Sequence, residues 1–258
     1  MKKYELTSET KVINGVELHR IKAIEFFGSI EKGDLGGWIE SEKNLSQDGD
    51  AWVGGDATVF GNARVYDNAM ISGNATISGN ATVCGNATIS GNAKVGWNAT
   101  VCGNATVCGN AAVYDNAKID DNAKVGGDAL IYGNALVSGN AAVDGYAEVG
   151  GNATVGGDAT VDGDAWVGGD ATVFGNATIS GNAKVRKTAD YIVFKNWWSS
   201  GRYFTWTRSN NKWKVGCFYG SGEELIAKAY KDSEKSGREY ERVVNYVESI
   251  LKEEDNNK

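Results

Sequence analysis

Proline is absent from this 258-residue chain, and histidine occurs once, at His19. Without proline the glycine-rich composition is neither collagen nor a proline-rich linker. A single imidazole rules out three-histidine zinc sites and most histidine-dependent acid–base chemistry. No apolar run reaches the ~18 residues of a spanning helix, so no membrane span is expected. The opening MKKYELTSET lacks the apolar stretch of a secretory signal. Cysteines stand only at 84, 102, 108 and 217, which is no small secreted disulfide framework. The expected compartment is a reducing cytosol, and no cofactor or metal is expected.

What the chain has instead is a repeat. Alanine occurs at every sixth residue from Ala51 to Ala183, 23 times without a gap. Two residues after each stands Val or Ile. The residue before each alanine is Asn or Asp except at Tyr146, and before that stands Gly except at Asp67, Trp97, Asp115 and Asp121. Ala-x-Val alternates with period two, so Ala and Val point inward and the middle residue outward. Three such residues make a short strand, and the Gly-Asn pair suits a corner with positive φ. Strand and corner at fixed spacing predict a solenoid with a narrow Ala/Val interior.

The hexad, as in Val53-Gly54-Gly55-Asp56-Ala57-Thr58, resembles that of the hexapeptide-repeat family, whose fold is a left-handed parallel β-helix. The resemblance covers residues 50–185 and implies three sides and the handedness. Three hexads per turn would stack Cys84 over Cys102, Tyr114 over Tyr132 and Trp52 over Met70. The rod would then hold about 7.7 turns, roughly 37 Å at ~4.8 Å per strand. Asp48–Ala63 recurs identically as Asp162–Ala177, displaced by nineteen hexads, so the copy should fall on a different side.

The fold class expected is therefore an all-β solenoid with an N-terminal hairpin cap (1–49), a hexapeptide-repeat β-helix (50–187) and a small C-terminal α+β module (188–258). Asn14-Gly15 between apolar runs marks the hairpin. Gly33–Ile39 reads as degenerate coil leading into the rod. In the module, Tyr191–Phe194, Arg202–Thr207 and Trp213–Phe218 read as strands. Ser221-Gly222-Glu223-Glu224 and Ser236-Gly237-Arg238-Glu239 read as capping boxes opening two helices. The second helix carries Tyr240, Val243, Val244, Val247, Ile250 and Leu251 on one face. The last residues, EEDNNK, read as frayed.

Charge divides the same way. Residues 50–185 carry 5 basic and 13 acidic side chains, ten of the acids between Asp115 and Asp170; residues 186–258 carry 14 basic and 11 acidic. Residues 186–214 set seven cations against Asp190 alone, interleaved with aromatics. Such a cluster can stack bases and track phosphates, or form the core of a small domain. Loop tryptophans are the better contacts for a partner. The partner-binding candidates are Trp197, Trp198, Arg202, Arg208, Lys212 and Lys214, with Asp158, Asp162, Asp164 and Asp170 on the rod.

Segments Gly33–Ser41, Asn44–Ser46 and Phe194–Gly222 also resemble prophage-encoded hexapeptide-repeat proteins of bacteria. That resemblance implies a protein acting in a bacterial host's cytoplasm. The functional expectation is a non-enzymatic binding protein that docks on and blocks a host protein or ribonucleoprotein. The target class expected is nucleic-acid-directed defence machinery, as for an anti-CRISPR or anti-restriction inhibitor, with nucleic-acid contact through 186–214. A structural or virion-associated spacer and, last, a diverged hexapeptide-repeat acyltransferase are the alternatives, and a homo-oligomer is compatible with the binding and spacer readings. Acyl transfer, common among hexapeptide-repeat proteins, needs a general base beside the coil and a donor-binding loop; the rod has no histidine and no insertion. His19 is expected on a solvent-facing strand, Cys217 buried in a strand, and Cys84 and Cys102 as small corner residues. Corner aspartates are expected to replace Asn as turn formers rather than bind Ca²⁺.

Overall fold

The computed structural model describes residues 2–198 and 201–256. Residues 52–185 form 23 strands from Trp52–Val53 to Lys184–Val185. They stack in parallel, each on the strand eighteen residues away, into three sheets. Every repeat Ala and every repeat Val or Ile is at most 1% exposed, so the interior is one continuous aliphatic column. Each buried branched side chain contributes about 1.5–3 kcal/mol.

The strands are two residues long rather than three. The alanine belongs to the corner, since its N–H turns back to the carbonyl three residues earlier, as in Ala57 N–H to Gly54 O at 3.3 Å. Only the first residue of the Gly-Asn pair takes positive φ. It is Gly in most copies, and the four exceptions, Asp67, Trp97, Asp115 and Asp121, lie there too, at φ 55–60°. The three aspartates offset that strain by accepting from the backbone one turn on: Asp67 from Gly85, Asp115 from Gly133 and Asp121 from Gly139, at 2.9–3.0 Å.

The Asn of the pair does something else. Its side-chain amide donates to the side chain eighteen residues on. One ladder runs from Asn62 through Asn80, Asn98, Asn116, Asn134 and Asn152 to Asp170. A second runs from Asn68 to Asp158, and a third from Asn74 to Asp128. A carboxylate accepts but cannot donate onward, so each forward run stops at its first aspartate, and beyond Asp158 the sense reverses, with Asn176 donating back to it at 3.5 Å. Asp158 and Asp170 are thus ladder ends rather than mere substitutes in a turn.

At the N-terminus, strands Tyr4–Ile13 and Val16–Ala23 form the expected hairpin, with Asn14 at φ 52° and Gly15 at φ 81°. Leu35–Ile39 pairs antiparallel with the second hairpin strand and parallel with Thr58–Val59, which carries the hairpin into the rod's sheet. Trp52 is sealed between Tyr4 and Phe27, at centroid distances of 6.5 and 5.6 Å. Lys3 closes the end: its Nζ donates to Gly49 O at 2.9 Å and sits 5.0 Å from the Phe27 ring. His19 is half-buried on the hairpin.

The C-terminal strands Tyr191–Lys195, Tyr203–Thr207, Lys212–Val215 and Phe218–Gly220 form an antiparallel sheet covered by α1 (Gly222–Asp232) and α2 (Glu234–Asn256). Gly216 and Cys217 make a turn where one strand was expected, so Cys217 is exposed rather than buried. Ser221 caps α1 as expected. The second helix starts earlier than its Ser-Gly-Arg-Glu signal, because Ser233 both ends α1, donating to Ala229 O, and accepts from Ser236 N–H at 3.0 Å. It also runs through Asn256 rather than fraying before it.

This sheet closes the rod. Within the stack, each outer strand N–H donates to a carbonyl seventeen residues on, as Thr160 N–H does to Ala177 O. The last turn has no such carbonyl, and hydroxyls take its place. Thr172, Phe174, Thr178 and Lys184 donate their N–H groups to Thr188 Oγ1, Tyr191 Oη, Thr205 Oγ1 and Ser209 Oγ, at 2.6–3.3 Å. Arg186 N–H goes to Asp190 Oδ2 at 2.7 Å. Among the described residues no helix is long and apolar enough to cross a membrane.

Thr205 is 2% exposed. Thr205→Val keeps its shape but strands the Thr178 N–H, and should lower stability by about 1–3 kcal/mol in urea denaturation, with Ser209→Ala costing less because that site is open to water. Burial lowers the Lys3 pKa from 10.5 to about 8, against the pull of Asp50 and Asp48. The unfolded chain therefore holds this proton longer, and stability should rise from pH 8 to 10. Above that, the raised Tyr4 pKa, caused by burial and then by Glu42, acts the other way. Chemical denaturation across this range should show Lys3→Met flattening the rise.

Candidate binding groove

Along a perfect repeat every turn would look alike, so departures from the rule are where a site can form. Tyr146 is the one residue before a repeat alanine that is neither Asn nor Asp, and it follows Asp128, where the third ladder ends, in the same column. Glu148 is the only acid at a mid-strand position. Trp166 is the only mid-strand tryptophan besides Trp52, which is sealed under the N-terminal hairpin.

The stacking brings these three together. Residues 148, 166 and 184 lie in register on adjacent strands of one face, and Tyr146 and Asp164 occupy its preceding corner. With Arg186 at the following corner, they line an open groove of about 490 Å³. A second cavity of about 200 Å³ shares Lys184 and Arg186 and continues to Asp190, Arg208 and Ser209 at the module.

The groove is shaped by glycine. Trp166 occupies the space a side chain at 168 would need, and Tyr132 does the same over Gly150. Freed in this way, Tyr132 Oη reaches the indole of Trp166 and accepts from its Nε1 at 3.2 Å. Tyr146 projects outward, 67% exposed. Among the described residues, Glu148 and Asp164 form no ion pair with Lys184 or Arg186. Along the stack the groove thus sets Tyr146 and Glu148 on one turn, Asp164 and Trp166 on the next, and Lys184 and Arg186 on the one after. Among the described residues no group of three metal-ligating side chains occurs.

The residues singled out from sequence scatter around this groove. Asp164 lines it and Arg208 lines the adjoining cavity. Asp162 is half-buried near Tyr219, and Asp158 and Asp170 accept ladder bonds. Arg208 makes a two-point ion pair with Glu254 at 2.6 and 3.1 Å, tying sheet to α2. Lys212 lies near Glu224, and Lys214 is half-buried in its strand. Arg202 lines a separate shallow pocket with Cys217, Tyr219 and Lys228.

Trp197 is 82% exposed and available for contact. Trp198 is not: it packs against Phe204 and Tyr240 at centroid distances of 6.0 and 6.1 Å. Ser199 and Ser200 of that loop lie outside the described residues. Phe204, Trp206 and Trp213 are at most 2% exposed, so these aromatics of the basic cluster are core rather than a base-stacking platform. Cys84 and Cys102 are joined as a disulfide across adjacent turns, their Cα atoms 4.7 Å apart, rather than standing as separate corner residues; Cys108 is free.

The sequence shows Tyr146 as an exception to the repeat, but Glu148 and Trp166 join it only through the stacking. The signal was there: Tyr146 and Asp164, like Glu148, Trp166 and Lys184, are spaced by eighteen.

Residues 63–79 and 71–85 match the YdcK beta solenoid repeat family. With three parallel sheets, the chain carries a hexapeptide-repeat β-helix. No curated protein matches the chain.

A Cβ at position 168 would overlap the indole of Trp166, while the backbone there does not require glycine. Gly168→Ala should therefore turn Trp166 away and break its bond to Tyr132. Its assigned indole N–H resonance should shift and exchange faster, with global stability changed by only about 1 kcal/mol.

Proposed function

We propose that the protein is a non-enzymatic binding protein, a capped rod that offers a macromolecular partner a docking groove where its last turns meet the C-terminal module. The carrying observation is the convergence of Tyr146, Glu148 and Trp166, three departures from an otherwise uniform repeat, in one open groove. An exposed tyrosine and a half-buried indole beside separated charges have the composition of a contact surface. Exposed Trp197 adds a second contact point on the module. A filled aliphatic interior and an open, shallow site favour binding over catalysis, and His19 sits at the opposite, N-terminal end.

The narrower reading is a prophage-type inhibitor of nucleic-acid-directed host machinery, of the anti-CRISPR or anti-restriction kind. Its support is the ten acids between Asp115 and Asp170. B-DNA as long as the rod would carry about 22 charges, against a net −8 for residues 50–185. The charge density therefore favours local mimicry over mimicry along the whole length. The spacer reading draws on the ladders, which stiffen the rod without using any one face.

The repeat supplies its own control. Tyr146→Asn with Trp166→Thr restores the consensus, so stability in urea should hold or rise. Affinity capture from bacterial lysate should yield a discrete partner with the wild-type chain and lose it with this variant. Retention by the variant would remove the groove from the interface. No partner, together with rods growing by light scattering, would favour the spacer.

A further inference from the structure

Four charges of opposite sign line this one groove, and among the described residues none of them is neutralised by another. Glu148 and Asp164 stand with Tyr146 and Trp166, while Lys184 and Arg186 stand beyond them, with no ion pair between the two sets among the described residues. Each set is thus left to face whatever enters. Carboxylates beside aromatic rings suit a cation, which gains from both the charges and the ring quadrupoles. Lysine and arginine side by side suit a carboxylate or phosphate. A purely anionic strand would be repelled at one end and a purely cationic one at the other.

We infer that the groove recognises a charge-split peptide segment of a protein partner, with a basic side chain seated against Trp166, Tyr146, Glu148 and Asp164 and an acidic side chain seated on Lys184 and Arg186. The inference rests on the groove being the docking site. An extended segment fits better than an isolated dipolar headgroup, because the groove continues through Lys184 and Arg186 into the second cavity at Asp190 and Ser209. Tyr132 adds specificity: its oxygen accepts from Trp166 and holds the indole in place for the incoming cation.

The repeat again indicates variants that fold. Lysine already occupies the mid-strand position at Lys94 and Lys124, and Asn is the usual corner residue. Glu148→Lys with Asp164→Asn therefore inverts one end of the groove within the repeat's own vocabulary. The probes are fluorescent, end-blocked hexapeptides titrated by anisotropy at low salt against the full chain. One carries two arginines at one end and two aspartates at the other; the others are all-basic, all-acidic and neutral.

The charge-split peptide should bind wild type about tenfold tighter than the all-basic or all-acidic one, the size of a partly desolvated cation–π contact with charge-assisted hydrogen bonds. The inverted variant should prefer the all-acidic peptide. Trp166→Thr should weaken the charge-split peptide without changing the order. Equal binding of all charged peptides, an order unchanged by inversion, or tighter binding of phosphocholine vesicles than of any peptide would overturn the inference. If lysate capture still depends on Tyr146 and Trp166 while the peptides show no such order, the docking groove stands and this specificity falls.

Discussion

Parallel stacking of short strands leaves an open edge at each end, and the rest of this molecule depends on how those edges are closed. Inside the rod, every outward N–H finds a carbonyl one turn on at about the same distance, so stability propagates from turn to turn. Nothing in the repeat itself says where to stop. The last turn would present a row of unpaired donors, both costly and inviting to another chain. The C-terminal sheet answers with hydroxyls in place of carbonyls, at Thr188, Tyr191, Thr205 and Ser209. The module expected as a recognition domain is therefore first a cap, and its interior aromatics serve that packing. The same contact brings Arg208 and Ser209 beside Lys184 and Arg186, so closing the rod also extends the groove.

The N-terminal end solves the complementary problem. There the first turn exposes carbonyls, and amides and cations meet them. Asn44 Nδ2 donates to Gly61 O and Ala63 O at 3.1 and 2.9 Å, and Lys3 Nζ to Gly49 O. Burying a lysine is expensive. It is tolerated here because the carbonyls would otherwise lack donors and because Asp48 and Asp50 lie nearby.

The solenoid was legible from period and chemistry, and its three sides from the family resemblance. Ala and Val at fixed spacing face inward, Asn14-Gly15 turns, and Ser221 with Glu224 caps α1, whereas the same pattern at Ser236 and Glu239 falls inside α2 because Ser233 starts that helix first. What escaped depends on reach. The Asn ladders need two amides within hydrogen-bonding distance one turn apart, which the eighteen-residue spacing permits but the corner's φ preference alone does not reveal. The Cys84–Cys102 bond likewise needs Sγ atoms aimed along the stack. Trp198 read as a loop contact because the loop is visible in the sequence, whereas Phe204 and Tyr240, which bury it, are distant along the chain. The groove was missed because its residues look like noise in a repeat until they are placed on one face.

The internal duplication shows why face matters more than sequence here. Trp52 and Trp166 sit at the same place in identical sixteen-residue stretches, Asp48–Ala63 and Asp162–Ala177. The offset is not a whole number of turns, so the copies lie in different sheets, Trp52 pairing with Met70 and Trp166 with Glu148 and Lys184. One indole is 4% exposed beneath the hairpin and holds the cap; the other lies in an open groove between opposite charges. Neither local propensity nor the repeat distinguishes them. Neighbours one turn away do: Tyr4 and Phe27 fold over the first, whereas Gly168 leaves the second room to lie along the surface and bond Tyr132. In a solenoid a side chain's surroundings are set by the column it lands in, so a duplication that shifts faces can move a residue from the core to a surface groove without changing a single neighbour in sequence.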